Sequence, residues 1–132
     1  MTRPHSITEV IAPVLKLDPV AVYHFGSSAT DPARLRSDSD IDLAFLATRP
    51  CDPYQVFLTA QEIARIAGRE VDLIDLRQVG SVIAAQVIGH GRRVFTAPGC
   101  GQAADEFELL TLAGYARLNE ERGEVLATEL AR

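Results

Sequence analysis

A basic excess is what this chain of 132 residues most plainly lacks: 13 Lys and Arg stand against 18 Asp and Glu, for a formal net charge of −5. A protein that tracks a long nucleic acid needs a basic stripe to neutralise phosphates, so that class of function is disfavoured. A nucleotide ligand is not excluded, because bound metal ions reverse the local field. Cysteine is scarce. Cys51 and Cys100 lie far apart, in no metal-ligand spacing. They allow at most one disulfide, and two separate thiols in a cytoplasmic protein is the simpler reading. No run approaches the ~18 apolar residues of a membrane span, and the opening "MTRPHSITEV" has no apolar signal core. A soluble, cytoplasmic protein is expected. Long polar low-complexity stretches and internal repeats are also missing. With 47% hydrophobic residues the chain reads as a folded globule. A domain of this length buries roughly two-thirds of the surface its unfolded chain exposes.

What is present alternates between helical and strand patterns. "SITE", Ser6 to Glu9, has capping-box spacing and predicts a helix to about Leu17, shortened or kinked by Pro13. Asp18-Pro19 reads as a turn. "VAVYHF", 20–25, is a short strand ended by Gly26, and 27–39 is a polar loop. "DIDLAFL", 40–46, is a second strand. Asp52-Pro53 predicts a helix start and Gly68 its end. "EVDLIDL", 70–76, is a third strand, "SVIAAQVIGHG" a short helix, and "RRVFTA" a fourth strand broken by "PGCGQ". Residues 103–130 form a long helix with Phe107, Leu110, Leu118 and Val125 on one stripe, shared by Gly114. The order implies a small mixed sheet packed by helices, α/β or α+β. One domain over 1–132 is expected, with its core at about 20–98 and the final helix at about 103–130.

Aspartates gather where the second strand enters the core. Strand residues two apart share a face, so Asp40 and Asp42 project together while Ile41 points inward. Two adjacent carboxylates repel unless a cation sits between them. Oxygen ligands with no nearby His or Cys favour Mg²⁺ or Mn²⁺ over zinc. Pairing of the third strand would add Asp72. Three carboxylates around two metals ~3.5–4 Å apart suit in-line displacement at phosphorus. Asp75, three residues on, falls on the opposite face as a strand-end or cap residue. Gly26 permits close backbone approach at the end of the first strand. There the Ser27 hydroxyl and the turn's N–H groups, through Ser28, would hold phosphate oxygens.

"HFGSSATDPARLRSDSDIDLAF", with "VDLIDL" downstream, resembles the nucleotidyltransferase fold of the DNA polymerase β superfamily. It is most similar to the minimal (MNT-type) nucleotidyltransferases, whose signature is Gly-Ser, a loop of about ten residues, Asp-x-Asp, and a later strand Asp. The resemblance covers most of residues 20–98. It assigns Gly26, Ser27 and Ser28 to the phosphate turn, and Asp40, Asp42 and Asp72 to metals and catalysis. It implies ATP as substrate and Mg²⁺ (or Mn²⁺) as cofactor. It further implies an antitoxin that transfers AMP to a tyrosine hydroxyl of a partner HEPN-domain ribonuclease toxin. Twelve residues separate Ser27 from Asp40, so a literal count would select Asp38 and Asp40. The pair at 40 and 42 is preferred because "LAFL" follows Asp42 at once. The family's second glycine after the serine is replaced by "ATDP".

Two other functions fit the same features: an antitoxin that neutralises by binding alone, and a transferase for a small molecule such as an aminoglycoside. A homo-oligomer is also compatible with the last helix, whose stripe serves core, partner or second copy. Arg34 and Arg36 reach toward a triphosphate or, as the plainer reading, are a solvated surface pair. His24 reads as a packed histidine before a base. His90 complements a helix C-terminus, and Tyr115 packs against core or interface before it serves as a modified residue.

Overall fold

Ser6 caps the first helix as its spacing to Glu9 predicts: its hydroxyl accepts the Glu9 N–H at 3.3 Å. In this computed structural model residues 6–26 and 40–130 are described, with side chains through 123. Helix α1 (Ile7–Ile11) runs little more than a turn before tightening into a 3-10 helix, Ala12–Leu17. Pro13 accounts for the change, since it has no N–H for the next α-helical bond. Asp18 follows with φ 54°, and Pro19 opens the first strand.

The strands are β1 (Pro19–Phe25), β2 (Ile41–Ala47), β3 (Val71–Asp75) and β4 (Arg92–Thr96). Helices α2 (Pro53–Ala67), α3 (Ser81–His90) and α4 (Gly101–Leu130) alternate with them. Asp52 caps α2 by accepting the Tyr54 N–H at 3.1 Å, and Gly68 ends it with φ 71°. The sheet is mixed, in the order β3-β2-β1-β4. β2 and β3 run parallel; β1 is antiparallel to both β2 and β4. The central strands are buried on both faces, which is why they read as almost unbroken apolar runs.

Alternation along β2 sorts the core into two layers. Ile41, Leu43 and Phe45 pack with Val22 and Leu73 against Val10, Val14 and Ile63, the layer of α1, the 3-10 helix and α2. Ala44 and Leu46 pack with Tyr23 against Ala84, Val87 and Ala104, the layer of α3 and α4. Lys16 ties the 3-10 helix to α2 through Glu62 at 3.0 Å. Both cysteines are free thiols. No helix among the described residues is long and apolar enough to cross a membrane.

The inward stripe of α4 differs from the predicted one. Ala104, Phe107, Glu108, Thr111, Tyr115 and Leu118 are its buried or half-buried positions. Leu110 is instead 64% exposed. It lies two residues past Glu108, about 200° around the helix. Gly114 is exposed as well, with nothing within 4 Å of where a Cβ would be, so no element packs close there. Val125 lies outside the residues whose side chains are described.

Candidate active site

Parallel pairing of β2 and β3 sets Asp42 and Asp72 opposite each other in register. Both strands begin at this end of the sheet, and β1, running the other way, ends there with Phe25 opposite Asp42. Neighbouring strands lie ~4.8 Å apart, which makes the two carboxylates close neighbours. Ile41, Leu43 and Leu73 belong to the α2 layer, while Ala44 and Ile74 belong to the α3/α4 layer. By alternation Asp42 and Asp72 share the α3/α4 face. Asp40 sits one residue ahead of β2, exposed.

Electrostatics report the crowding. The Asp42 carboxyl is pushed above the usual range, first by burial, then by the negative charges of Asp72 and Asp40. A cation would relieve this strain, and three carboxylates with no soft ligand suit a hard one. Among the described residues no group of three or more His, Cys, Asp or Glu side chains is placed to hold a metal ion. The acids stand at an open strand edge.

Gly26 borders this group with φ 77°, and a Cβ there would strike Oδ2 of Asp42. The missing side chain therefore leaves the turn's backbone and the carboxylate in direct contact. Ser27, Ser28, Arg34, Arg36 and Asp38 lie outside the described residues.

Asp75 has the cap role its spacing suggests. Buried, it accepts the Cys51 N–H at 2.9 Å and the Arg77 N–H at 3.0 Å. His24 is packed, at 1% exposure, and its imidazole is held down to about 4 by burial, then by Arg92 and Arg69. His90 ends α3, exposed, and Tyr115 is half-buried on α4.

One group escaped sequence reasoning. Arg93 of β4 reaches Asp105 at 2.7 Å and Glu108 at 3.0 Å, clamping α4 to the sheet. Beneath it the Tyr23 phenol is raised strongly, by burial first and then by Glu108. The only sequence signal is the Asp105/Glu108 spacing of three, which puts both acids on neighbouring parts of one helix face. Nothing in the sequence joins that pair to Arg93.

With this geometry in view, the relatives fall into place. The family model for Polymerase beta, Nucleotidyltransferase matches residues 9–98. The protein adenylyltransferase MntA of Shewanella oneidensis is 31% identical over 110 residues, spanning 83% of this chain and 76% of that protein. Among solved structures, a toxin–antitoxin complex with AMP-PNP contains a similar chain. It is 26% identical with TM-score 0.71, and the match covers 94% of this chain and 95% of that one. The complex of a tri-AMPylated Shewanella oneidensis HEPN toxin with its MNT antitoxin gives another. That chain is 25% identical with TM-score 0.69, covering 95% and 99%. The family match spans more than half of the residues and takes in Gly26, Asp40, Asp42 and Asp72: the chain belongs to the polymerase β family of nucleotidyltransferases.

Proposed function

We propose that this chain is an antitoxin that transfers AMP from ATP, with Mg²⁺, to a tyrosine hydroxyl of a partner HEPN-domain toxin. The observation that carries the reading is the register of Asp42 with Asp72, beside Asp40 and against Gly26. The names of its relatives support it: one is a protein adenylyltransferase, and another is seen with an AMPylated HEPN toxin. The reading takes 20–98 as the transfer core and 103–130 as an appended helix of the same domain.

Asp40, Asp42 and Asp72 would hold Mg²⁺. When bound, the metal supplies charge neutralisation at the triphosphate and lowers the pKa of the attacking hydroxyl. Gly26 lets the turn's N–H groups, with Ser27 and Ser28, approach the phosphates and fix the α-phosphorus before the acids. The tyrosine oxygen bonds to that phosphorus as the bond to the bridging oxygen of pyrophosphate breaks. Asp72, the exposed carboxylate at the start of β3, accepts the tyrosine proton.

The test uses radiolabelled ATP, Mg²⁺ and the protein of the neighbouring reading frame. Wild type should leave covalent AMP on a tyrosine, and Asp42→Asn should not, with its fold intact. Undiminished transfer by Asp42→Asn ends the reading. Neutralisation of the toxin by an Asp40→Asn/Asp42→Asn variant would favour masking over catalysis.

A further inference from the structure

α4 carries two apolar stripes, one packed on the fold and the other largely uncovered. The inward stripe from Ala104 to Leu118 packs on the sheet and α3. On the outward side Leu109, Leu112, Ala113 and Ala116 repeat at i, i+3, i+4 and i+7, the spacing of a helix-packing seam. Leu109 is 68% exposed and Leu112 41%, with Leu110 beside them at 64%. Leu109 and Leu112 share the seam while Leu110 lies on its other flank, so the exposed side of the helix is apolar across its width, the mark of an interaction surface that one leucine alone would not make.

The seam lies on the face and at the end where the acids stand. Leu112 stands beside α3, its Cδ2 3.7 Å from where a Cβ on Gly89 would be. Two residues on, Gly91 lies so close to β1 that a Cβ there would come within 3.0 Å of Phe25 Cβ and 3.1 Å of the His24 carbonyl. Gly26 and Asp42 follow directly. α4 is 30 residues long, about 45 Å, so it outruns strands of five to seven residues and projects beside the site.

Charge selects the occupant. Residues 101–123 hold five acids and two arginines; Arg93 takes up Asp105 and Glu108, which leaves Glu106, Glu120 and Glu121. An antiparallel pair of α4 helices centred on Ala113 would oppose Glu106 to Glu120, seven residues to either side. A parallel pair would set Glu106 and Glu120, at the two ends of the seam, each against its own copy. Either arrangement is repulsive, so a second copy of this chain does not fit. A basic protein with an apolar groove does.

We propose that the acceptor protein, a basic one, docks on the Leu109–Leu112–Ala113–Ala116 seam of α4, which holds its modified hydroxyl beside Asp72. This inference rests on the transfer reading above. Tyr54, Phe57 and Leu58 form another exposed apolar group, at 62%, 57% and 41%. They belong to α2, across the sheet from the acids, and serve as the control.

Binding and labelled-AMP kinetics with the neighbouring frame's protein test the proposal. Leu109→Lys/Ala113→Lys changes solvent-exposed positions and should melt like wild type. It should weaken acceptor binding and raise the acceptor KM by roughly 30-fold, leaving the ATP KM unchanged; Leu109→Met should bind normally. Phe57→Lys should be neutral. The proposal is overturned if the double lysine variant binds like wild type, if Phe57→Lys is the variant that weakens binding, or if α4 instead mediates a dimer with transfer unaffected. A wild-type chain that neither binds nor modifies that protein removes the transfer reading, which separates the two failures.

Discussion

Asp42 and Asp75 stand on neighbouring parallel strands, at opposite ends of the sheet, and their surroundings are inverse. Asp75 is buried and accepts two backbone N–H groups, from Cys51 and Arg77. It organises the turns after β2 and β3. Asp42 has the opposite company: Asp72 and Asp40 add negative charge, and burial pushes its carboxyl up further. An acid that finishes its bonding inside the chain is structural. One whose charge the chain leaves unbalanced is set aside for something brought from outside.

Exchanging the two acids' fates is the sharpest way to break that contrast. Asp42→Asn should cut AMP transfer by about 10³-fold or more. In metal-free protein above the carboxylate range it should be at least as stable as wild type. The sign follows from the raised pKa: the native state holds that proton more tightly than the unfolded chain does. Wild type therefore loses stability as pH rises through the shifted value, and Asn does not. Asp75→Ala should do the reverse. It leaves two N–H groups without their acceptor and should destabilise by roughly 2–4 kcal/mol, while the folded fraction keeps its kcat. Urea titrations beside transfer assays read both. A stable Asp75→Ala, or an Asp42→Asn that unfolds, would erase the distinction.

Gly26→Ala probes the same carboxylate from its neighbour. The methyl meets Asp42 Oδ2 at a backbone φ of 77°, and the left-handed conformation alone costs about 1 kcal/mol. Because Oδ2 ends a side chain, it can swing away, and the fold survives. The displaced acid should then lower kcat by roughly 10- to 100-fold. Unchanged kcat would mean that Asp42 tolerates movement.

Much of this was legible in the residues. The capping signals at Ser6, Asp52 and Gly68 found their helices, because caps are local chemistry. The spacing of Asp40 and Asp42 suggested one face for that pair, because strand alternation is rigid. The register of β2 with β3 was not legible, since pairing between segments 30 residues apart leaves no local mark. Leu110 misled for a different reason. Leucine is the usual inward residue of a helix, and α4 uses Glu108 and Thr111 inward instead. Arg93 draws Glu108 in, and that partner comes from another strand.

His24 offers the faintest version of the opening contrast: a titratable group at the site end that the chain keeps uncharged. Burial, Arg92 and Arg69 hold it to about 4, whereas the unfolded chain takes up the proton near ~6.5. Between those values the unfolded state binds more protons. Stability is therefore fully present above the upper one and falls as pH drops through the window. The decline should be about 1 kcal/mol from ~pH 6.5 to 5.5, before most carboxylates titrate. Urea midpoints of wild type and His24→Gln across that interval isolate it, whatever the substitution costs at neutral pH. The variant's curve should be flatter by that amount; parallel curves would mean that the folded imidazole accepts its proton after all.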